Sequence, residues 1–292
     1  MYREGNEMLY INTNEILEKT VATLANQKMI GIDTEFIRRD TYYAKLSLIQ
    51  ISTLEEIYII DPIKLDISAL KEILASQKII KIFHAPLQDL GIFYNVLKTI
   101  TLNVFDTQEA IKFLGIRSQI SYQDACKKIL NIEIEKEQQF REWNIRPLSE
   151  DMINYAAQDV DHLIPLYLEL KKRMEEEKIF INFCRYMESF SQKEFYEVKL
   201  TEVWKKIRTH ERSKTFMKNL QMIASFRETM AISLDLPRSF VISDQDLLEV
   251  TKILPSNKSE LQNLKIKTRL NQSQINALFD LCSGLKTQKE EL

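Results

Sequence analysis

Cysteine, glycine and long apolar runs are all scarce in this chain, and each shortage removes a class of protein. Three cysteines, Cys126, Cys184 and Cys282, are scattered through 292 residues with no C-x-x-C pair among them. An odd, dispersed set supports neither a disulfide framework nor a zinc knuckle, and it fits a reducing cytoplasm. No apolar run approaches the roughly 18 residues of a membrane span. The opening MYREGNEMLY mixes charges with few apolar groups, so neither a membrane anchor nor a cleaved signal is expected. Only five glycines occur and no Gly/Ser linker is visible, so a junction between domains near residues 188–200 is expected to be helical. Net charge is small too: 40 Lys and Arg against 42 Asp and Glu leave −2. That is too little positive field to hold a nucleic acid by bulk attraction alone.

What is present begins with an uneven spread of that charge. Residues 201–292 carry 15 Lys and Arg against 11 Asp and Glu, and residues 1–200 carry 25 against 31. An acidic first part could meet a polyanion through divalent cations while a mildly basic second part holds its backbone directly. Ordinary scatter of solvated charge explains the counts equally well. At 45% hydrophobic the chain can bury a sizeable core, in one large domain or two smaller ones.

Up to about Leu170, short β-branched runs (MIGIDTEF, AKLSLIQIS, EEIYIID, KIIKIFHA) alternate with helical stretches, which predicts an α/β fold. LSLIQIS and EEIYIID leave no room for a helix between them, so they are expected to form a hairpin in a mixed sheet. From Ser149, apolar residues recur at helical spacing through SEDMINYAAQDVDHLIPLYLELKKRMEEE. One long helix is expected there, capped at Ser149 and bent at Pro165. Beyond about Phe190 no strand pattern appears. VWKKIRTHERSKTFMKNLQMIASFRETMAISLDLP reads as helices that end before Pro237, and the tail TQKEEL as frayed. The boundaries are placed at 1–190 for the α/β domain and 191–286 for a small all-helical one.

Several acidic residues sit where acid is costly. In GIDTEF, Asp33 and Glu35 are two apart on a predicted strand, so both carboxylates leave one face at the end of an apolar run. Hard divalent ions would neutralise them; exposed strand-end charges are the plainer explanation. Asp89 lies in the opening turns of a helix expected to begin near Pro86, where acid also simply suits the helix dipole. Tyr155 and Asp159 stand four apart on one helix face, and Ala156 and Ala157 beside them allow close approach of another chain. Taken alone, Tyr155 reads as a core tyrosine with a satisfied hydroxyl.

Their order is more specific than any one of them. A strand carboxylate pair, a helix-start Asp and a helical Tyr-x-x-x-Asp resemble the three motifs of the DEDD exonucleases. GIDTEF is similar to the first, KIFHAPLQDL to the second and YAAQDVDHL to the third. The tyrosine marks the subgroup of ribonuclease D, the exosome-associated nuclease and the Werner-type exonuclease. DTYYAKLSLIQIS, VFDTQEA and the run from Lys136 through Trp143 to IRPL resemble ribonuclease D more than its DNA-degrading relatives, over most of residues 25–175. Trp204 with KKIR, then IASFRETMAISLDLPRSFVISDQDLLEV, looks like one helicase-and-RNase-D C-terminal (HRDC) module. The chain departs from the pattern at Pro86 within the second motif and at FREW, which replaces the usual small-acidic-Trp ending before IRPL. Bacterial relatives often carry two helical modules, where one is seen here.

The resemblance implies a ribonuclease H-like mixed sheet flanked by helices, followed by a small all-α domain. It also implies that Asp33, Glu35, Asp89 and Asp159 hold two Mg²⁺ or Mn²⁺ ions. Two cations roughly 3.5 to 4 Å apart can flank one phosphate, whereas four carboxylates without metals would force some of their pKa values up. Tyr155 would then orient the attacking water rather than abstract its proton, since a phenol of pKa about 10 is a poor base at neutral pH. Phe36 could stack on the terminal base or pack in the core. His84 could contact RNA or fill a loop, and hard oxygen-loving ions argue against its ligating metal. Lys136 and Gln139 occupy positions that contact RNA in relatives. Lys205, Lys206, Arg208, Arg212 and Lys214 form a basic cluster that could meet phosphates or be a solvated face.

The expected activity is 3′-5′ exoribonuclease action on RNA with a free single-stranded 3′ end, with tRNA precursors as the implied substrate and nucleoside 5′-monophosphates as products. A DNA exonuclease with the same carboxylates and an inactive RNA-binding scaffold are the rivals. Both polymers present the same phosphodiester, so the carboxylates cannot discriminate them; contact to the terminal 2′-hydroxyl would.

Overall fold

A computed structural model describes residues 7–134 and 142–290 of the chain. They form two compact units. Residues up to Ile37 together with Ala44–Tyr196 make the first, and Arg38–Tyr43 with Glu197 onward make the second. The six residues Arg38–Tyr43, which fall in the α/β region by sequence, thus group with the helical one.

The first unit runs β1 (Glu7–Ile11), α1 (Asn14–Leu24), β2 (Met29–Ile37), β3 (Lys45–Ser52), β4 (Glu56–Ile60), α2 (Leu70–Ala75), β5 (Ile80–Phe83), α3 (Leu87–Leu97), β6 (Val104–Asp106), α4 (Thr107–Phe113), α5 (Tyr122–Ala125), α6 (Glu150–Asp161), α7 (Leu163–Glu176) and α8 (Phe180–Met187). Its six strands are ordered β1-β4-β3-β2-β5-β6. β3 pairs antiparallel with β2 and with β4, and the remaining pairs are parallel, so the sheet is mixed and β3–β4 is the expected hairpin. Both faces are covered, and the strands consequently read as near-continuous Ile-rich runs. Ile30, Ile32, Leu48, Ile49, Ile59, Ile60 and Ile82 have no solvent exposure.

Two contacts show which helix lies on which face. The register pairs Gly31 with Ser52, Asp33 with Gln50 and Glu35 with Leu48, and residues directly opposed across an antiparallel pair share a face. Ser52 Oγ donates to the Val160 carbonyl of α6 at 2.7 Å. A Cβ on Gly31 would lie 2.4 Å from Ser52 Oγ and 2.9 Å from Leu163 Cβ. Helices α6 and α7 therefore cover the face of Gly31, Asp33 and Glu35, and only glycine allows α7 so close. Thr34, on the opposite face, hydrogen-bonds Asp89 of α3.

The single helix expected from Ser149 is two. Ser149 caps α6, its Oγ accepting from Met152 N at 3.2 Å, but the helix ends at Asp161 and His162 leaves helical geometry at φ −105, ψ 8. The chain does not bend at Pro165, which lies in the first turn of α7, where its missing N–H is not needed. His162 N instead takes the Tyr122 hydroxyl as acceptor at 3.0 Å.

The second unit contains α9 (Lys214–Ser233), α10 (Arg238–Val241), α11 (Asp244–Ile253), α12 (Lys258–Asn263) and α13 (Gln272–Glu290). Among the described residues no strand follows β6. The junction is helical as expected, in 3₁₀ form at Glu188–Ser191, Lys193–Phe195 and Leu200–Lys206. Phe216, Leu220, Ile223 and Ala224 of α9 pack with Val241, Leu247, Val250 and Leu278. Tyr42 enters this core: its hydroxyl bonds Glu228, which also takes Arg238 Nη2 at 2.6 Å. Helix α13 continues to Glu290, so the tail is helical that far rather than frayed. No helix among the described residues is long and apolar enough to cross a membrane.

Candidate metal centre

Acidic residues of the first and third motifs converge. One oxygen each from Asp33 and Glu35 of β2 and Asp159 of α6 lie within 4.8 Å of one another. Strand alternation aims the first two at α6, and close packing beside Gly31 lets that helix bring Asp159 down to meet them. A register shift between Glu35 and Phe36 interrupts the ladder, which resumes with Phe36 opposite Leu46, and such bulges re-aim side chains. Phe36, immediately after it, is half-buried and belongs to neither hydrophobic core among the described residues.

Asp89 stands beside this group rather than within it. It lies in the first turn of α3 behind Pro86, is 7% exposed, and accepts the Thr34 hydroxyl bond. Pro86 therefore leaves Asp89 in place, as expected for a proline at a helix start. The chain turns from β5 into α3 through Ala85, whose φ of 58 is left-handed; its N–H is held by Asp106 at 3.0 Å.

The four acids feel one another electrostatically. Burial, then the charges of Asp89, Asp159 and Glu35, hold the Asp33 carboxyl well above the usual range. Burial together with Asp159 and Asp89 pushes Glu35 up to about 8. Burial raises Asp89 to about 6 despite the Thr34 bond. Such a cluster must bind protons or cations. All donors are hard carboxylate oxygens, the set that Mg²⁺ and Mn²⁺ prefer. At a metal–oxygen distance of about 2.1 Å, ligands on opposite sides of one ion are about 4.2 Å apart, close to the span found. The residues fit one or two such ions.

Tyr155 is one helical turn before Asp159 on α6 and packs against Trp143, ring centroids 6.0 Å apart. Trp143 is 2% exposed, and its segment is clamped by Arg146. Arg146 donates to Asp61 from Nε at 2.7 Å and Nη2 at 2.8 Å, and to the Trp143 and Ile145 carbonyls from Nη1 at 2.7 and 2.9 Å. Tyr10 adds a third bond to Asp61 at 2.8 Å. Burial opposes the Asp61 charge, but these bonds and the guanidinium outweigh it and hold the carboxyl below its usual range.

His84 is held within the fold: Nδ1 lies 2.8 Å from Thr107 Oγ1 and Nε2 2.9 Å from the Ile120 carbonyl, so both ring nitrogens have protein partners that tie the end of β5 to the loop before α5. Lys136 and Gln139 lie outside the described residues. Lys205, Lys206, Arg208, Arg212 and Lys214 are all exposed in the helical unit, with Lys205 paired to Glu202 at 3.1 Å.

Sequence reasoning passed over Gln50. It is fully buried on β3 opposite Asp33, and neither its Nε2 nor its Oε1 has a hydrogen-bond partner among the described residues. A buried unmade bond costs about 1–3 kcal/mol. The available signal was a lone glutamine within the apolar run LSLIQIS.

Comparison with known proteins agrees with this architecture. Residues 8–175 match the 3′-5′ exonuclease family model, and residues 217–282 match the HRDC domain. The mixed sheet with flanking helices is thus the ribonuclease H-like fold of those exonucleases, followed by a helical module. Ribonuclease D of Bartonella henselae is 33% identical over 263 residues, 89% of this chain and 65% of that protein. Ribonuclease D of Pseudomonas paraeruginosa is 30% identical over 272 residues, 89% of this chain and 70% of that one. The crystal structure of Escherichia coli RNase D, described as an exoribonuclease involved in structured RNA processing, superposes with a TM-score of 0.83 at 28% identity, over 97% of this chain and 76% of that one. The chain belongs to the ribonuclease D family of 3′-5′ exonucleases. It spans just under two thirds of the length of the first relatives it matches.

Proposed function

We propose that this chain is a metal-dependent 3′-5′ exoribonuclease that removes nucleotides one at a time from RNA with a free single-stranded 3′ end, tRNA precursors among its substrates, in the cytoplasm. The observation that carries this reading is the meeting of Asp33, Glu35 and Asp159 from two distant segments, with Asp89 beside them. Asp33, Glu35, Asp89 and Asp159 would hold two Mg²⁺ or Mn²⁺ ions, which when bound lower the pKa of the attacking water and offset charge on the phosphate.

The chain's own residues supply placement. Thr34 fixes the Asp89 carboxylate from behind. The hydroxyl of Tyr155, whose ring packs against Trp143, positions the water whose oxygen attacks phosphorus; the water gives up a proton as the new P–O bond forms, the bond to the 3′ oxygen breaks, and that oxygen takes up a proton, so that the net change is addition of one water. The products are a nucleoside 5′-monophosphate and an RNA one residue shorter with a new 3′-hydroxyl. Phe36, half-exposed next to Glu35, would stack on the terminal base, a contact worth typically about 1–3 kcal/mol.

A time course on 5′-labelled single-stranded RNA with Mn²⁺ or with chelator tests this. Stepwise shortening from the 3′ end, only with metal, is expected. Rapid cutting of circular RNA, or cleavage in chelator, would refute it. Matched DNA and RNA oligonucleotides settle the sugar preference, and binding with no cleavage would support a scaffold instead.

A further inference from the structure

Buried polar side chains are hydrogen-bonded in the great majority of folded proteins, and an exception often marks an ion or water that the site is built to receive. Gln50 is such an exception. Its carboxamide offers two donors and two acceptor lone pairs, it has no solvent exposure, and neither polar atom is partnered among the described residues. Its position is not arbitrary. It is the cross-strand partner of Asp33, which places the two Cβ atoms about 4.5–5.5 Å apart on one face. That face is the one roofed by α6, since Ser52, two residues along β3, bonds the Val160 carbonyl at 2.7 Å. Gln50 thus lies under the helix that carries Tyr155 and Asp159, beside the carboxylate common to the acidic group.

We infer that Gln50 is a positioning residue for the cation site, its amide donating to the Asp33 carboxylate and its carbonyl oxygen accepting from cation-bound water when the site is loaded. This rests on the reading of the acidic group as a cation site. Residues that orient metal ligands from behind typically contribute 10–100-fold to metal affinity or activity. An apolar residue of similar length would serve the unloaded fold as well or better, because it leaves no polar atom unsatisfied. The glutamine is therefore best explained by what it does once metal arrives.

The experiment compares the parent with Gln50→Met and Gln50→Leu in three measurements: thermal unfolding in chelator, Mn²⁺ binding by calorimetry, and kcat and KM on a single-stranded oligoribonucleotide. The expected result is a Tm in chelator at or above that of the parent, Mn²⁺ affinity about 10–100-fold weaker, and a lower kcat with little change in KM. Parental Mn²⁺ affinity and kcat in either variant would overturn the inference. So would a marked loss of Tm in chelator for both variants, which would make Gln50 a structural residue. Asp33→Asn separates the two readings: if the parent binds no Mn²⁺ and Asp33→Asn cleaves normally, the cation site itself fails. If the parent binds Mn²⁺ and Asp33→Asn does not, only the role of Gln50 is at stake.

Discussion

Replacing Glu35 with Gln should stabilise the metal-free protein, and the gain should grow with pH. Burial and the charges of Asp159 and Asp89 move the Glu35 carboxyl from 4.5 to about 8. In the unfolded chain this group loses its proton near 4.5, while in the fold it keeps it until about 8. Between those values the folded state binds more protons, so stability falls as pH rises. At 1.36 kcal/mol per pKa unit the full loss is at most roughly 5 kcal/mol; water entering the site relieves part of it. A glutamine of the same shape carries no charge and escapes the penalty. For a unit of 150–250 residues about 1 kcal/mol moves Tm by about 2–4 °C. The Tm gap between Glu35→Gln and the parent should therefore open by up to roughly 10–20 °C from pH 5 to pH 9 in chelator. Saturating Mn²⁺ should close it, since on the proposed function cations would neutralise the parent site and the variant would lack one of their ligands. Thermal unfolding across that pH range, with and without Mn²⁺, reads all of this. A gap that is constant with pH, or a parent that gains stability relative to the variant as pH rises, would refute the electrostatic account.

Three further outcomes follow from the same geometry. With the role proposed for it, in which its hydroxyl acts on water and not on metal, Tyr155→Phe should retain Mn²⁺ binding while kcat falls about 10²-fold or more; equal loss of metal affinity would point to a ligand role. Arg146→Met should destabilise the first unit by about 3–5 kcal/mol, since it strands the fully buried Asp61, and Asp61→Asn in the same chain should recover much of the loss in denaturant titrations. No recovery in the double variant would show that the arginine acts through its carbonyl contacts. Gly31→Ala should cost about 1–3 kcal/mol as overpacking, because its Cβ would meet Leu163 Cβ at 2.9 Å; an unchanged Tm would mean that α7 can shift away from β2.

Much of the acidic group was legible in the sequence, because its chemistry is written locally. Period-two alternation puts Asp33 and Glu35 on one face, four-residue spacing puts Tyr155 and Asp159 on one helical face, and the order of the motifs carried the family. The hairpin of β3 and β4 followed from a connection too short for a helix. What sequence could not decide were matters of distance between remote segments. For His84 the sequence left RNA contact and a structural role both open, and it could not show that Thr107 and the Ile120 carbonyl would lie against its two nitrogens. The break fell at His162 and not at Pro165, because a proline in a first turn forfeits no hydrogen bond while the Tyr122 hydroxyl claims the His162 N–H. Arg38–Tyr43 joined the helical unit through Tyr42, Glu228 and Asp235, partners some 190 residues away. Gln50 became notable only when folding buried it opposite Asp33 without a partner. Local periodicity records which way a side chain points; what it meets there depends on packing between elements far apart in the chain, and that is decided only when the sheet and its helices close.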